Sequence, residues 1–370
     1  MKKILFFIPS LTGRGAEKVL VNLINNMDCK KFDITLLVLF DEGTNKENLN
    51  KQIKYKYIYK KVFRGNIHYF KLWTPQKLYK KFIKNEYDII VSYLEGPTTR
   101  IASGCDLNPN TRLINWIHKE MRNIKEFSSS YRNIKEFFNC MKKYNETIFV
   151  SQTAKATFEK ETKLYIPSKV IYNLVDNKKI QDKACKEIDD IEFKRDIINL
   201  ISVGSLVHQK GYLRLLKVFN RILQKYNNVH LYILGDGKER KKMEAYIYEN
   251  NLEDKVTLLG YKKNPYKYVK ASDLFVCSSY YEGYSTAVTE ALIVGTPVIT
   301  TLCSGMEELL ENGKYGIITE NSAEDLYKGI WRIINNKELL NKYKKLAIER
   351  SYYFDLEKNL EENERLFNEK

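Results

Sequence analysis

Two carboxylates eight residues apart, Glu282 and Glu290, bracket the run Gly283-Tyr284-Ser285-Thr286-Ala287, in which a glycine turn opens a helical pattern. This places Glu282 in the loop and Glu290 about one turn into the helix, with main-chain N–H groups between them. Carboxylates accept well from paired sugar or ribose hydroxyls, and the amides of a helix start suit an anion. The competing reading of Glu290 is a solvated helix position, but Ala287, Ala291 and Leu292 around it point to a buried helix and a carboxylate in need of a partner. Lys210 ends the loop Gly204-Ser205-Leu206-Val207-His208-Gln209-Lys210-Gly211, where an ammonium can neutralise a phosphate or simply be solvated. Near the start, Thr12-Gly13-Arg14-Gly15-Ala16-Glu17 reads either as an anion-binding loop or as a tight turn. It lacks the spacing of a dinucleotide fingerprint. His118 follows the apolar run Leu113–Ile117, and Asp236 stands between Gly235 and Gly237.

These residues need a scaffold, and short apolar runs alternating with helical patterns supply one. The alternation occurs twice, as in parallel α/β sheets. In the first half, strands are expected near 4–8, 34–40, 89–93, 113–117 and 148–150, with a helix presenting Val19, Leu20, Leu23, Ile24 and Met27 on one face. In the second, they are expected near 199–203, 229–234, 256–259, 274–277 and 297–300. Lys210, Asp236 and Glu282 then follow strand ends, where open α/β sheets bind ligands. The polar stretch 176–196 reads as a linker between a first domain, 1–175, and a second, 197–337; residues 338–370 form a charged helical tail. The hexapeptide Arg-Asn-Ile-Lys-Glu-Phe occurs at 122–127 and again at 132–137, a spacing that matches no repeat architecture.

With 44% apolar and 13% aromatic residues in 370, the chain is globular, and no apolar run is long enough for a membrane span. Met1-Lys2-Lys3 and the apolar residues after it read as a first buried strand, because Pro9 and the glycine loop cut the run short. Six scattered cysteines without metal-ligand spacing fit a reducing, cytoplasmic setting. No Asp-x-Asp occurs, so no metal is expected at the site. The 62 basic against 46 acidic residues leave a net charge of +16, which favours anionic partners. Part of it is concentrated between Lys51 and Lys84, a segment without an acidic residue in which tyrosine, phenylalanine and tryptophan are interleaved. Such a mixture suits an anionic bilayer surface, a nucleic-acid backbone or a solvated face. No nucleic-acid-binding module is present, so nucleic acid is ranked last.

Taken in order, Gly13-x-Gly15-Ala16-Glu17, Trp116-Ile-His118, Val150-Ser151, Tyr172-Asn173-x-x-Asp176, Gly204 to Gly211, Leu234-Gly235-Asp236-Gly237 and the pair Glu282/Glu290 make nearly the whole chain resemble glycosyltransferase family 4, in particular bacterial capsule and exopolysaccharide enzymes. The resemblance implies a GT-B fold, two Rossmann-like domains facing across a cleft, with the tail packing back toward the first. It also implies a retaining, metal-independent transferase that moves a hexosyl or N-acetylhexosaminyl unit from a nucleotide-sugar, by resemblance a UDP-sugar, to a glycan or lipid-linked acceptor on the inner face of the cell membrane. The only small molecule it calls for is the donor itself. By the same resemblance Lys210 neutralises the departing diphosphate, Glu290 holds the ribose hydroxyls, and Glu282 with the amides of Gly283, Tyr284, Ser285, Thr286 and Ala287 holds the sugar. His118 sits at the reacting centre, and Gly13, Arg14 and Gly15 lie against diphosphate and acceptor. Where the family carries arginine beside the second-half loop glycine, this chain has Ser205; Arg14 is a candidate replacement. That departure keeps open an alternative, a catalytically weak scaffold within an assembly complex.

Overall fold

A computed structural model of the protein describes residues 1–12, 15–105, 110–194 and 196–369. Gly13 and Arg14, expected at a ligand, lie outside the described residues. The chain divides into two compact units, Met1–Val175 together with Glu357–Lys370, and Asp176–Leu356.

The first unit carries a seven-stranded parallel sheet: β1 Lys2–Ile8, β2 Phe32–Phe40, β3 Lys54–Tyr59, β4 Ile89–Ser92, β5 Arg112–Ile117, β6 Glu146–Phe149 and β7 Ser168–Val170. Their order is β3-β2-β1-β4-β5-β6-β7. The run Ile4–Ile8 is almost wholly shielded from solvent because helices cover both faces of a parallel sheet. The chain leaves β3, at the edge, and returns to pair β4 with β1, so the strand order reverses between β1 and β4.

The second unit repeats the plan with six strands: β8 Ile198–Val203, β9 Val229–Leu234, β10 Val256–Gly260, β11 Leu274–Cys277, β12 Val298–Thr301 and β13 Ile317–Thr319, in the order β10-β9-β8-β11-β12-β13. Here the reversal falls between β8 and β11. The helix Tyr212–Leu223 buries Leu215, Leu216, Phe219 and Ile222 in one core with Leu231 and Ile233 of β9.

Three expectations meet a different structure. Strands β3, β7 and β13 stand where no strand is expected, and β3 lies inside the basic-aromatic segment. Most aromatics there build core instead of facing outward: Phe70 is buried, and Tyr59, Phe63, Tyr69 and Phe82 gather around it with ring centroids 5.4 to 6.3 Å apart. The stretch 176–196 is not a bare connector. It opens with the helix Asn177–Ala184, capped by Asp176, and continues through Asp189 and Asp190, which pair with Lys267 and Lys262 at 2.8 and 2.6 Å. The tail is shared out: the helix Lys337–Ser351 belongs to the second unit, while the helix Leu356–Asn368 lays Phe367 edge-on against Phe6 and Phe32 of the first.

Candidate active site

In the second unit the carboxyl ends of β8 and β11, the two strands at the reversal, deliver the predicted residues to one place. After β8 the chain forms a single 3-10 turn, His208–Lys210, and Gly211 then reverses it with a φ of 66°. A side chain there would run into the Ser278 carbonyl, whose oxygen lies 2.1 Å from where a Cβ would stand, so the loop after β11 can approach only a glycine. Gly235, after β9, has the same function against the Gly204 carbonyl.

The two loops are stitched together. Tyr280 N–H donates to the Gln209 carbonyl and Gln209 Nε2 to the Tyr281 carbonyl, both at 2.8 Å. The Ser278 hydroxyl donates to the Lys210 carbonyl at 2.9 Å. Arg214, on the helix that follows, donates to the carbonyls of Ser278 and Ser279 at 2.5 and 3.1 Å and to Asn321 Oδ1 at 2.8 Å, and lies over the Tyr280 ring. The outcome is a fixed Glu282, whose Oε1 accepts from both the Lys210 ammonium and the Ser279 hydroxyl at 2.6 Å. Burial alone would lower the Lys210 pKa; the Glu282 carboxylate outweighs it and holds the ammonium above its ordinary value. Among the described residues Lys210 is therefore a cation with one N–H bond committed to Glu282 and two more to offer an anion.

From the same loop the helix Thr286–Ile293 starts at Ser285, whose hydroxyl accepts from Val288 N–H. Glu290 lies one turn in, buried, with the Tyr266 hydroxyl 3.4 Å from its Oε1. Glu282 and Glu290 are thus both enclosed carboxylates, on a loop and a helix that begin at one strand end. Ser205 stands half-buried in the β8 loop, its carbonyl accepting from Val207 N–H. Arg214, Gln209 and Ser279 are missed by sequence reasoning. Gln209 lies inside the loop Gly204 to Gly211 and Ser279 three residues before Glu282, whereas nothing local marks Arg214 on its helix.

In the first unit His118 follows β5 directly. Its backbone N–H donates to Glu95 Oε2 at 2.9 Å, Glu95 standing just past β4. His118 is only 8% exposed, its ring lies over Tyr93 and Trp116, and neither ring nitrogen has a hydrogen-bond partner among the described residues. Burial lowers its pKa to about 3, so the ring is neutral at physiological pH. Burial likewise raises Glu95 despite Lys119 at 3.6 Å. Thr12, at the edge of the glycine loop, donates its hydroxyl to Glu17 at 2.8 Å.

Comparison with known proteins agrees with this fold. The family model for glycosyl transferases group 1 matches residues 186–350, the part that contains Lys210, Glu282 and Glu290. An uncharacterized glycosyltransferase of Methanocaldococcus jannaschii is 30% identical over 343 residues, which cover 79% of this chain and 83% of that protein. N-acetylgalactosamine-N,N'-diacetylbacillosaminyl-diphospho-undecaprenol 4-alpha-N-acetylgalactosaminyltransferase of Campylobacter jejuni is 27% identical over 363 residues, 96% of each chain. The Anabaena protein HepE, solved in complex with UDP and glucose, matches over 100% of both chains with a TM-score of 0.78 at 20% identity, a likeness of fold. With two parallel α/β sheets of the GT-B type and a relative at 30% identity over most of its length, the chain belongs to the group 1 glycosyl transferases, enzymes that transfer sugars.

Proposed function

We propose that this enzyme moves a hexosyl or N-acetylhexosaminyl unit from a UDP-sugar to a glycan or lipid-linked acceptor in cell-surface polysaccharide synthesis, with retention of configuration and without a metal ion. The observation that carries the proposal is the Lys210–Glu282 pair at the strand-order reversal, with Glu290 one helical turn beyond. As the sugar–phosphate bond breaks, negative charge grows on the departing diphosphate. The two uncommitted N–H bonds of Lys210 and the main-chain amides that open the helix Thr286–Ile293 meet that charge, preorganised so that no solvent need rearrange. Glu290 takes the ribose hydroxyls, and Glu282 holds Lys210 in place while accepting from the sugar. His118, neutral and with its ring nitrogens unengaged among the described residues, is the histidine proposed to act on the transferred sugar.

For the acceptor, the Campylobacter relative's name specifies a diphospho-undecaprenol-linked glycan, and that chemistry transfers here as part of the proposal. No helix among the described residues is long and apolar enough to cross a membrane. A lipid-linked acceptor would then be met by peripheral contact at the inner face of the cell membrane, through the basic segment 51–84, whose exposed lysines attract anionic lipid.

A thermal-shift series with UDP, GDP and ADP in the presence of EDTA tests the donor assignment. A ligand that binds only the folded state raises the melting temperature with the logarithm of its concentration over Kd. Selective stabilisation by UDP without metal is expected. Stabilisation by GDP alone would reassign the base, and a response only when EDTA is replaced by a divalent ion would overturn metal independence. No response to any nucleotide would favour the scaffold reading that Ser205 raised.

A further inference from the structure

Four consecutive main-chain carbonyls in the first unit each accept an arginine N–H. Arg100 reaches Phe70 O at 2.8 Å and Trp73 O at 2.7 Å, and Arg132 reaches Lys71 O at 2.6 Å and Leu72 O at 3.0 Å. Glu136 ties the two arginines together, 2.8 Å from Arg100 and 3.8 Å from Arg132. Arg100 is fully buried, and burying a guanidinium costs free energy unless its geometry is saturated in this way. The clamp therefore fixes the turn between the helices Asn66–Leu72 and Pro75–Phe82. What that rigid turn displays is apolar: Leu72 is 76% exposed and Trp73 42%, with Ile134 exposed as well.

Beside the turn lies an open surface cavity of about 560 Å³ whose lining includes Lys71, Lys125, Arg132 and Lys135 with Ser128 and Ser129, and no carboxylate. The duplicated hexapeptide builds it. Both copies fold alike: Asn123 and Asn133 accept from the N–H groups of Glu126 and Glu136, whose carboxylates reach back to the N–H groups of Arg122 and Arg132. Phe127 and Phe137 anchor the copies in one core, ring centroids 6.3 Å apart. Each glutamate is thereby committed to arginine, Glu126 to Arg122 and Glu136 chiefly to Arg100. Lys125, Lys135 and Lys71 have no ion-pair partner among the described residues, and all three line the cavity.

We propose that this cavity binds the phosphate of an anionic phospholipid headgroup, with Leu72 and Trp73 seated at the acyl-chain boundary next to it. The proposal rests on the membrane contact suggested above and goes beyond it, by assigning a defined headgroup pocket built largely from residues outside 51–84. Uncompensated lysines and an anchored arginine suit phosphate oxygens, the exposed Ser129 hydroxyl adds a donor while that of Ser128 is spent on the Ile124 carbonyl, and tryptophan is favoured at the bilayer interface. An exposed leucine and tryptophan held outward by a buried arginine bury no core of their own, and a bilayer gives them a use.

The test is co-sedimentation of the full chain with phosphatidylcholine vesicles, with and without phosphatidylglycerol. Binding is expected only with phosphatidylglycerol, and Lys125→Ala/Lys135→Ala should weaken it by roughly 30-fold. Leu72→Ser/Trp73→Ser should weaken the same binding, and the exposed positions should leave the melting temperature unchanged. A Lys344→Ala/Lys345→Ala control removes the same charge from the second unit. If the pocket variant loses no more than this control, the pocket is overturned while peripheral binding stands. If wild type ignores phosphatidylglycerol, both the pocket and the membrane reading fail. Displacement by millimolar inorganic phosphate, but not by chloride of equal ionic strength, would assign the cavity to a soluble anion and overturn the lipid.

Discussion

At the carboxyl ends of β8 and β11, in the second unit, Lys210, Glu282 and Arg214 are all engaged, by each other or by main-chain carbonyls. At those of β4 and β5, in the first, Glu95 and His118 meet through a backbone N–H, and both imidazole nitrogens are left without a partner among the described residues. The sheets share a topology but are finished in different ways. A ligand of constant chemistry, such as a diphosphate, rewards a rigid prebuilt charge, because preorganised dipoles do not have to reorient as the reaction proceeds. An acceptor hydroxyl needs a buried, neutral group whose hydrogen bonds are still to be made. The second unit is therefore expected to fail through loss of charge and geometry, and the first through loss of one polar contact.

The largest expected effect breaks the charged side of this contrast. Lys210→Met should reduce sugar transfer by about a hundred- to a thousand-fold. It also strands Glu282, a buried carboxylate, at a cost on the order of 3 kcal/mol. Lys210→Met/Glu282→Gln should recover much of the urea midpoint and none of the activity. A double variant as active as wild type would remove both residues from the chemistry.

Arg214 comes next, because it tests whether geometry matters apart from charge. Arg214→Lys keeps the cation but cannot span Ser278, Ser279 and Asn321 at once. Carbonyls left without donors should cost on the order of 2 kcal/mol of stability. Displacement of the 278–282 loop should lower kcat by roughly ten- to a hundred-fold. An unchanged kcat with a lowered melting temperature would make Arg214 a purely structural residue.

How much of this is legible in the sequence follows from the range of each interaction. Strands such as β1, β8 and β9 are largely apolar runs, because both faces of a parallel strand are covered, and they stand out from the residues alone. Lys210, Glu282 and Glu290 can be placed at strand and helix ends by the same alternation. β3 cannot, since Lys54-Tyr-Lys-Tyr-Ile-Tyr59 at a sheet edge looks like surface charge when its neighbour β2 is not in view. β7 and β13 are three residues long and carry too little periodicity to register. Arg100 and Arg214 are beyond local reading altogether: their partners lie 27 to 36 and 64 to 107 residues away. The repeat at 122–137 is visible as text, but its meaning depends on Lys71 and on the turn that Arg132 holds.

A subtler effect sharpens the first unit's side of the contrast. The His118 pKa is about 3 in the folded chain, below the ordinary histidine value, so the unfolded chain binds the proton more readily. The fold keeps its full stability above about pH 6.5 and loses stability as pH falls from there toward 3, where the unfolded chain is protonated and the folded one is not. His118→Gln should flatten the decline of melting temperature between those limits. Some slope should persist, because His230 is lowered to about 4 by burial, and by Lys194 and Lys255. Transfer by wild type should show no inflection from His118 between pH 6 and 8 (a ring already neutral at both ends, on the order of three units above its pKa), so an inflection lost in His118→Gln would contradict the buried neutral state.

The smallest expected effect concerns Glu290, the second carboxylate of the candidate site. Tyr266 approaches it at 3.4 Å, near the outer limit of a hydrogen bond, whereas Ser279 reaches Glu282 at 2.6 Å. Tyr266→Phe keeps the ring in its buried position and removes only the hydroxyl, so stability should change by no more than about 1 kcal/mol. If Glu290 holds ribose hydroxyls, the loss of that orienting contact should weaken UDP binding by a few-fold and leave uracil binding unaffected, measured by calorimetry on nucleotide and free base. Equal weakening of both would mean that Tyr266 supports the pocket wall in general, and the aim of Glu290 would then be set by the helix Thr286–Ile293 and not by this hydroxyl.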